Sequence, residues 1–303
     1  MSKSFIHIGF AKAGSSTIQQ WLSKQTGVFV PPRKELRKSL VVPQWFDFDS
    51  EVVHAFWHRQ KEYAVNESRV FVASNERLAG NPHAGHFDQD ILARRIVEMD
   101  SSVHVLIVVR EQMSIIASIY RQYVAMGGVE DFLTYVKPGL MKRARRPRFD
   151  WRAYQYDRVI NLYESLFGSS QVHVLLLEDL QNESSIFFAK LAETLGVQGQ
   201  PVDLQRARHN IGISDQDLER VRIRNHFLTE NSDLTLRTPS PLQVVPDSVG
   251  GFLARIWPTR NYGSKHSLID EVRDRFGNRF KQSNQALADR LGRDLSSLGY
   301  SMP

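Results

Sequence analysis

Four short apolar runs, at residues 5–8, 70–73, 103–109 and 172–177, show no strict alternation of apolar and polar side chains. Successive side chains of a strand point to opposite faces, so a run without alternation is a strand covered on both sides. Helix-like stretches separate the runs, over residues 16–24, 88–99, 114–125, 151–167 and 184–195. Strand and helix in alternation imply βαβ crossovers, and hence an α/β fold with a parallel sheet flanked by helices in three layers. Beyond Gly196 the strand signal ends, and helical stretches resume around 215–227, 268–280 and 284–298, with a Pro- and Ser-containing loop at 238–246. The expected organisation is an α/β core over residues 1–200 and a helical C-terminal subdomain over 201–303 packed on it.

Composition narrows the chemistry. With 303 residues, 42% hydrophobic and 24% charged, the chain is neither disordered nor fibrous in type. It contains no cysteine, which excludes a disulfide framework, a thiolate nucleophile and any Cys-based metal centre. A net charge of +6 and a pI near 9.5 point to an anionic partner. Residues 1–4 lead into an apolar stretch too short for a signal-peptide core, and no run reaches about 18 apolar residues, the least a membrane span needs. The expectation is a soluble, cytoplasmic protein.

The first apolar run ends in Gly9-Phe10-Ala11-Lys12-Ala13-Gly14-Ser15-Ser16-Thr17, and a helix start follows. A strand, a tight glycine loop and hydroxyl residues opening a helix together cradle phosphate, since backbone N–H groups and the helix N-terminus face the anion. The Gly9-to-Gly14 spacing matches the Walker A pattern, but Ser15-Ser16 stands where that pattern needs Lys-Ser/Thr. The lysine lies inside the loop, at Lys12, so the arrangement that holds magnesium and the β- and γ-phosphates in an ordinary kinase is missing.

These residues resemble the 5′-phosphosulfate loop of the P-loop-like sulfotransferases that use 3′-phosphoadenylyl sulfate, a family whose pattern is lysine, any residue, glycine, then two or three hydroxyl residues. The likeness is to its bacterial type. It extends to Val108-Val109-Arg110 followed by a helix carrying Ser118, since the family grips the donor's 3′-phosphate with a strand-end arginine and a serine eight residues later. Softer similarities are Leu177-Glu178-Asp179-Leu180, the stretch 208–214 and the tail 284–300. The family's late basic Arg-Lys-Gly element has no clear copy, with Arg260, Lys265, Arg206 and Arg208 as substitutes. The resemblance implies that Lys12, Ala13, Gly14, Ser15, Ser16, Thr17, Arg110 and Ser118 bind 3′-phosphoadenylyl sulfate, with no metal. It also implies that Lys12 is catalytic, neutralising the bridging oxygen as the phosphate–sulfuryl bond breaks.

An acceptor hydroxyl must lose a proton as sulfur transfers, and Glu76, just beyond the run 70–73, is the candidate base, because parallel strands offer ligands their carboxyl ends. Ser74 or Asn75 capping a helix, with Glu76 in its first turn, is the plain alternative. His86 and His83 are reserve bases, and His83, His86 and Asp88 form a weak metal pattern. His7 is expected in the core, and His54 and His58 on a helix surface. The run 142–148 holds five Lys or Arg residues, a solvated loop, a lid or an acidic-acceptor patch. Phe149, Trp151, Tyr154 and Tyr156 fit core packing or sugar stacking. The leading reading is sulfuryl transfer to a hydroxyl or amine on a small-molecule, glycan or lipid acceptor, with no nucleic acid. A small-molecule kinase with an altered P-loop and a non-catalytic nucleotide- or polyanion-binding module stay open.

Overall fold

The computed structural model describes residues 3–139, 149–202, 213–226 and 267–303. Five parallel strands form one sheet: β1 (Ser4–His7), β2 (Val28–Phe29), β3 (Val70–Ser74), β4 (His104–Val109) and β5 (Val172–Leu176), in the order β2-β3-β1-β4-β5. β1 is central, which explains its continuous burial. It pairs with β3 through Phe5↔Val72 and His7↔Ser74, and with β4 through Ile6↔Val105. All carboxyl ends therefore meet at one edge, on either side of the point where the chain leaves β1 in opposite directions.

The helices are α1 (Ser15–Ser23), α2 (Arg33–Leu40), α3 (Ser50–Asn66), α4 (Gln89–Met99), α5 (Gln112–Ala125), α6 (Phe132–Tyr135), α7 (Tyr156–Phe167), α8 (Leu177–Asn182), α9 (Ser184–Leu195), α10 (Asp215–Asn225), α11 (Leu268–Phe276) and α12 (Lys281–Leu291). Right-handed crossovers send the connections that run towards β5 over one face and the β1-to-β2 connection over the other. Accordingly α3, α4 and α7 pack in succession, while α1 meets α9 with Trp21 and Phe188 stacked 5.0 Å apart. The sheet flanked by helices is the α/β fold the alternation implies. Of the later helices, α10 and α11 pack on α5 and α12 on α7; Leu218, Leu268, Val272 and Leu287 join the same hydrophobic core as the sheet.

Three local features differ from the sequence reading. β2 and α2 carry too little signal to be seen, one being two residues long and the other burying only Leu36 and Leu40. The stretch 151–167 is not one helix: a 3-10 turn at Trp151–Tyr154 ends at Gln155, and α7 starts at Tyr156, whose hydroxyl donates to the Arg110 carbonyl at 2.5 Å. The run 172–177 stops one residue early, with Leu177 opening α8. Among the described residues no helix is long and apolar enough to cross a membrane.

Candidate active site

The loop after β1 is shaped by two glycines. A Cβ on Gly9 would lie 2.4 Å from the His7 Nε2, so the loop can fold back over the buried imidazole only with glycine there. Gly14 has φ +81 and caps α1 from the left-handed region, and a Cβ on it would lie 2.5 Å from Leu177. Lys12 also has a positive φ, 69°, an unusual conformation for a side-chain-bearing residue. The result is a ring of unused donors. The amides of Lys12, Gly14, Ser15 and Ser16 make no hydrogen bond among the described residues, and the buried Ser15 hydroxyl has no partner either. Ala13 is fully buried, and the amides of Thr17 and Ile18 are spent on the Gly14 carbonyl.

Arg110 reaches this loop from the end of β4. Its Nη1 donates to the Lys12 carbonyl at 3.0 Å. Burial lowers the Lys12 pKa, and the Arg110 charge lowers it further. Burial also opposes the Arg110 charge, with Glu178 acting the other way. Neither cation forms an ion pair among the described residues. Two neighbouring positive groups beside orphaned amides form a preorganised anion site, because an arriving anion relieves their repulsion and satisfies the donors at once.

A buried scaffold holds Arg110 in place. Glu111 caps α5 by accepting from the amides of Met113 and Ser114 at 2.7 and 2.8 Å, while its own amide donates to the Glu178 carboxylate at 2.8 Å. Tyr300 donates to the other Glu178 oxygen at 3.1 Å, and burial raises the Glu178 pKa. Gln112 donates to Asn284 at 2.6 Å, and Asn284 in turn to the Ser301 carbonyl, so the tail is tied to the start of α5. Ser118 sits half-buried on α5 and makes no hydrogen bond to Lys12 or Arg110.

The end of β3 is organised by side chains. His7 Nδ1 and Ser74 Oγ are 2.8 Å apart; Gln19 of α1 donates to Ser74 Oγ at 3.0 Å and to Glu76 Oε2 at 3.4 Å. Arg33, at the start of α2, donates from Nη2 to both Glu76 oxygens at 3.0 and 2.8 Å. The capping alternative also holds, since Asn75 accepts from the Arg77 amide and Glu76 opens a 3-10 turn. Gln19 thus links α1 to the candidate base. Neither Gln19 nor Arg33 carries a sequence signal, because each meets Glu76 only through tertiary folding.

The reserve bases fare differently. His86 Nδ1 lies 2.7 Å from the Ala79 carbonyl and Nε2 3.2 Å from the Tyr154 hydroxyl; burial pulls its pKa down to about 4. Both ring nitrogens are thus engaged in the core, and His86 is corrected from reserve base to packing residue. His83 Nδ1 is 3.2 Å from the Tyr135 hydroxyl, and Asp88 pairs with Arg77 and accepts from the Asn81 amide. The weak metal pattern does not converge. His7 is fully buried with its pKa lowered to about 4 by burial, and His54 and His58 are exposed on α3. Phe149, Tyr154 and Tyr156 are core residues, and Arg279 lies over Trp151 at 5.0 Å. The run 142–148 and the substitutes Arg206, Arg208, Arg260 and Lys265 lie outside the described residues.

No protein-family model and no curated protein matches the chain. Among solved structures, a sulfotransferase from Alicyclobacillus acidocaldarius superimposes with a TM-score of 0.59 at 17% identity, covering 98% of each chain. A sulfotransferase domain from the curacin biosynthetic pathway gives a TM-score of 0.43 at 13% identity, covering 96% of this chain and 98% of that one. Mouse sulfotransferase SULT7A1, complexed with PAP, gives 0.36 at 10% identity, covering 92% and 84%. With its five parallel strands in the order β2-β3-β1-β4-β5 and matched along nearly its whole length by the first of these, the chain has the sulfotransferase fold.

Proposed function

We propose that this chain is a sulfotransferase that moves a sulfuryl group from 3′-phosphoadenylyl sulfate to a hydroxyl or amine by in-line displacement without a metal. The observation that carries the reading is that Arg110, at the end of β4, donates to the carbonyl of Lys12 in the loop after β1, with neither cation in an ion pair among the described residues and four unused amides beside them. That donor set fits a phosphate ester, and the buried, unpartnered Ser15 hydroxyl adds one more donor. Arg110 with Ser118 takes the 3′-phosphate, and the loop amides with Ser15, Ser16 and Thr17 take the 5′-phosphate.

In the reaction the acceptor O–H bond breaks and its proton passes to a Glu76 carboxylate oxygen. The acceptor oxygen bonds to sulfur as the bond from sulfur to the bridging oxygen breaks, and the electron pair stays on that oxygen. Lys12 stabilises the negative charge that grows there. Arg33 donates to both Glu76 oxygens and Gln19 to Oε2, which leaves a lone pair on Oε1 for the acceptor's proton.

Thermal unfolding with nucleotides tests the proposal. A ligand at 100 times its Kd stabilises by about 2.7 kcal/mol. Adenosine 3′,5′-bisphosphate without magnesium should raise Tm, and labelled donor should pass sulfate to an acceptor. A stronger response to Mg-ATP would favour the kinase reading, and a response to heparin with neither nucleotide the binding module.

A further inference from the structure

α3 carries a stripe that neither the core nor the candidate active site uses. Glu51, His54, His58 and Glu62 recur at intervals of three or four residues and are all exposed, so they share one face of the helix. The core-facing side of α3 is pinned. Val53, Trp57 and Ala64 are buried, and Trp57 donates from Nε1 to Asp100 at 2.9 Å and meets Phe71 edge-on at 4.5 Å. Lys61 donates to the same Asp100 oxygen at 2.6 Å. The turns that bear both histidines are therefore fixed to the core while their rings stay in solvent.

The two rings stand 6.0 Å apart, centroid to centroid, with their planes 30° from parallel. His54 makes no hydrogen bond or ion pair among the described residues, and the one polar contact of His58 there is with Glu62, whose Oε1 lies 3.5 Å from Nδ1. A carboxylate beside Nδ1 favours the proton on that nitrogen, which leaves the Nε2 lone pair open. An exposed contact of this kind adds little to the stability of the fold. The other histidines differ: His7, His83 and His86 are buried with a ring nitrogen on a core partner, and His104 and His173 meet nitrogen to nitrogen at 2.9 Å.

We propose that His54 and His58 chelate one divalent transition-metal ion, of the class of zinc, nickel and copper(II), with Glu62 as the positioning residue that orients His58. Residues four apart on a helix share a face and lie about 6 Å apart along its axis, and an ion between them needs each nitrogen at about 2.0–2.1 Å. Rotation of two exposed side chains between staggered wells closes that distance without moving the backbone. Imidazole selects such ions over magnesium and calcium, which take oxygen donors. A carboxylate on the far ring nitrogen of a ligating histidine fixes its tautomer and strengthens it as a ligand. No third metal-ligating side chain converges on the pair among the described residues, so water completes the coordination shell. The pair shares no residue with Lys12, Arg110 and Glu76, and the assignment does not depend on the sulfuryl-transfer reading.

Titration calorimetry of the full chain with zinc chloride, and with magnesium chloride as the control, tests the site. The native chain should bind zinc and give no heat with magnesium. His54→Ala and His58→Ala should each weaken zinc about ten-fold or more, Glu62→Gln about two- to five-fold, and His104→Ala not at all. Tm without metal should stay as in the native chain in the three α3 variants. With copper(II), electron paramagnetic resonance should show two bound imidazole nitrogens in the native chain and one in His58→Ala. No zinc binding by the native chain, equal binding of zinc and magnesium, or a zinc affinity that survives in the His54→Ala/His58→Ala pair overturns the proposal. Full zinc affinity in Glu62→Gln overturns the role given to Glu62.

Discussion

The loops that follow β1 and β3 leave adjacent parallel strands at the same edge of the sheet, yet they are built on opposite principles. The first is made by backbone. Gly9 and Gly14 let the chain turn over His7 and against Leu177, and the amides of Lys12, Gly14, Ser15 and Ser16 are left unused. The second is made by side chains, Ser74, Gln19, Glu76 and Arg33, each of which already has a partner. A site with open donors is ready for a ligand that brings the missing charge. A site whose carboxylate is already held offers a ligand fewer open positions. In the proposed reading the first loop takes the donor and the second faces the acceptor.

The sharpest test of this contrast is Lys12→Ala. If the lysine meets charge that grows only in the transition state, turnover should fall by about 100-fold or more while binding of adenosine 3′,5′-bisphosphate falls less. Equal losses in both would make Lys12 an ordinary binding cation. Glu76→Gln should cost about 100-fold in rate at neutral pH with nucleotide binding intact, because the amide keeps the hydrogen bonds of the carboxylate and loses its basicity. Near-normal turnover would remove Glu76 as the base.

Arg110→Ala should weaken adenosine 3′,5′-bisphosphate by about 1.5–3 kcal/mol, and adenosine 5′-phosphate far less. Titration calorimetry with the two nucleotides separates the outcomes, and matching losses would deny Arg110 its role at the 3′-phosphate. The smallest effect on rate belongs to His86→Gln, whose pH–rate profile should overlay that of the native chain. A titration near 6.5 that vanishes in this variant would restore the histidine as a base. Its effect on stability has a defined sign. Burial holds His86 and His7 at about 4, so between about 6.5 and about 4 the unfolded chain binds protons that the folded chain does not. Stability should fall as pH drops through that window, and Tm against pH should be flatter there in His86→Gln.

The β1 side of the candidate site was far more legible in the sequence than the β3 side. Gly9, Lys12, Gly14 and the hydroxyls at 15–17 lie within nine residues, so their order in the chain is nearly their geometry. Arg110 could be read because a strand end is visible as the last residue of an apolar run. Gln19 and Arg33 lie 57 and 43 residues from Glu76, and nothing in their local spacing marks the meeting. The same holds for Glu178 and Tyr300, 122 residues apart, which brace the start of α5. His86 shows the converse: a histidine in a Gly/Pro loop looks exposed, and only the fold reveals the Ala79 carbonyl and Tyr154 hydroxyl on its two nitrogens.

By itself the sequence determined what depends on local period and backbone freedom: the alternation of strands and helices, the turn after β1 that only glycine permits at two positions, and the absence of thiol chemistry. Tertiary structure alone decided which side chains face one another across the carboxyl edge of the sheet: Arg33 against Glu76, Arg110 against the Lys12 carbonyl, Tyr156 against the Arg110 carbonyl. The reason is physical. Backbone conformation is set within a few residues by steric exclusion, whereas charge pairing and burial depend on distances that exist only after the strands have taken their order in the sheet.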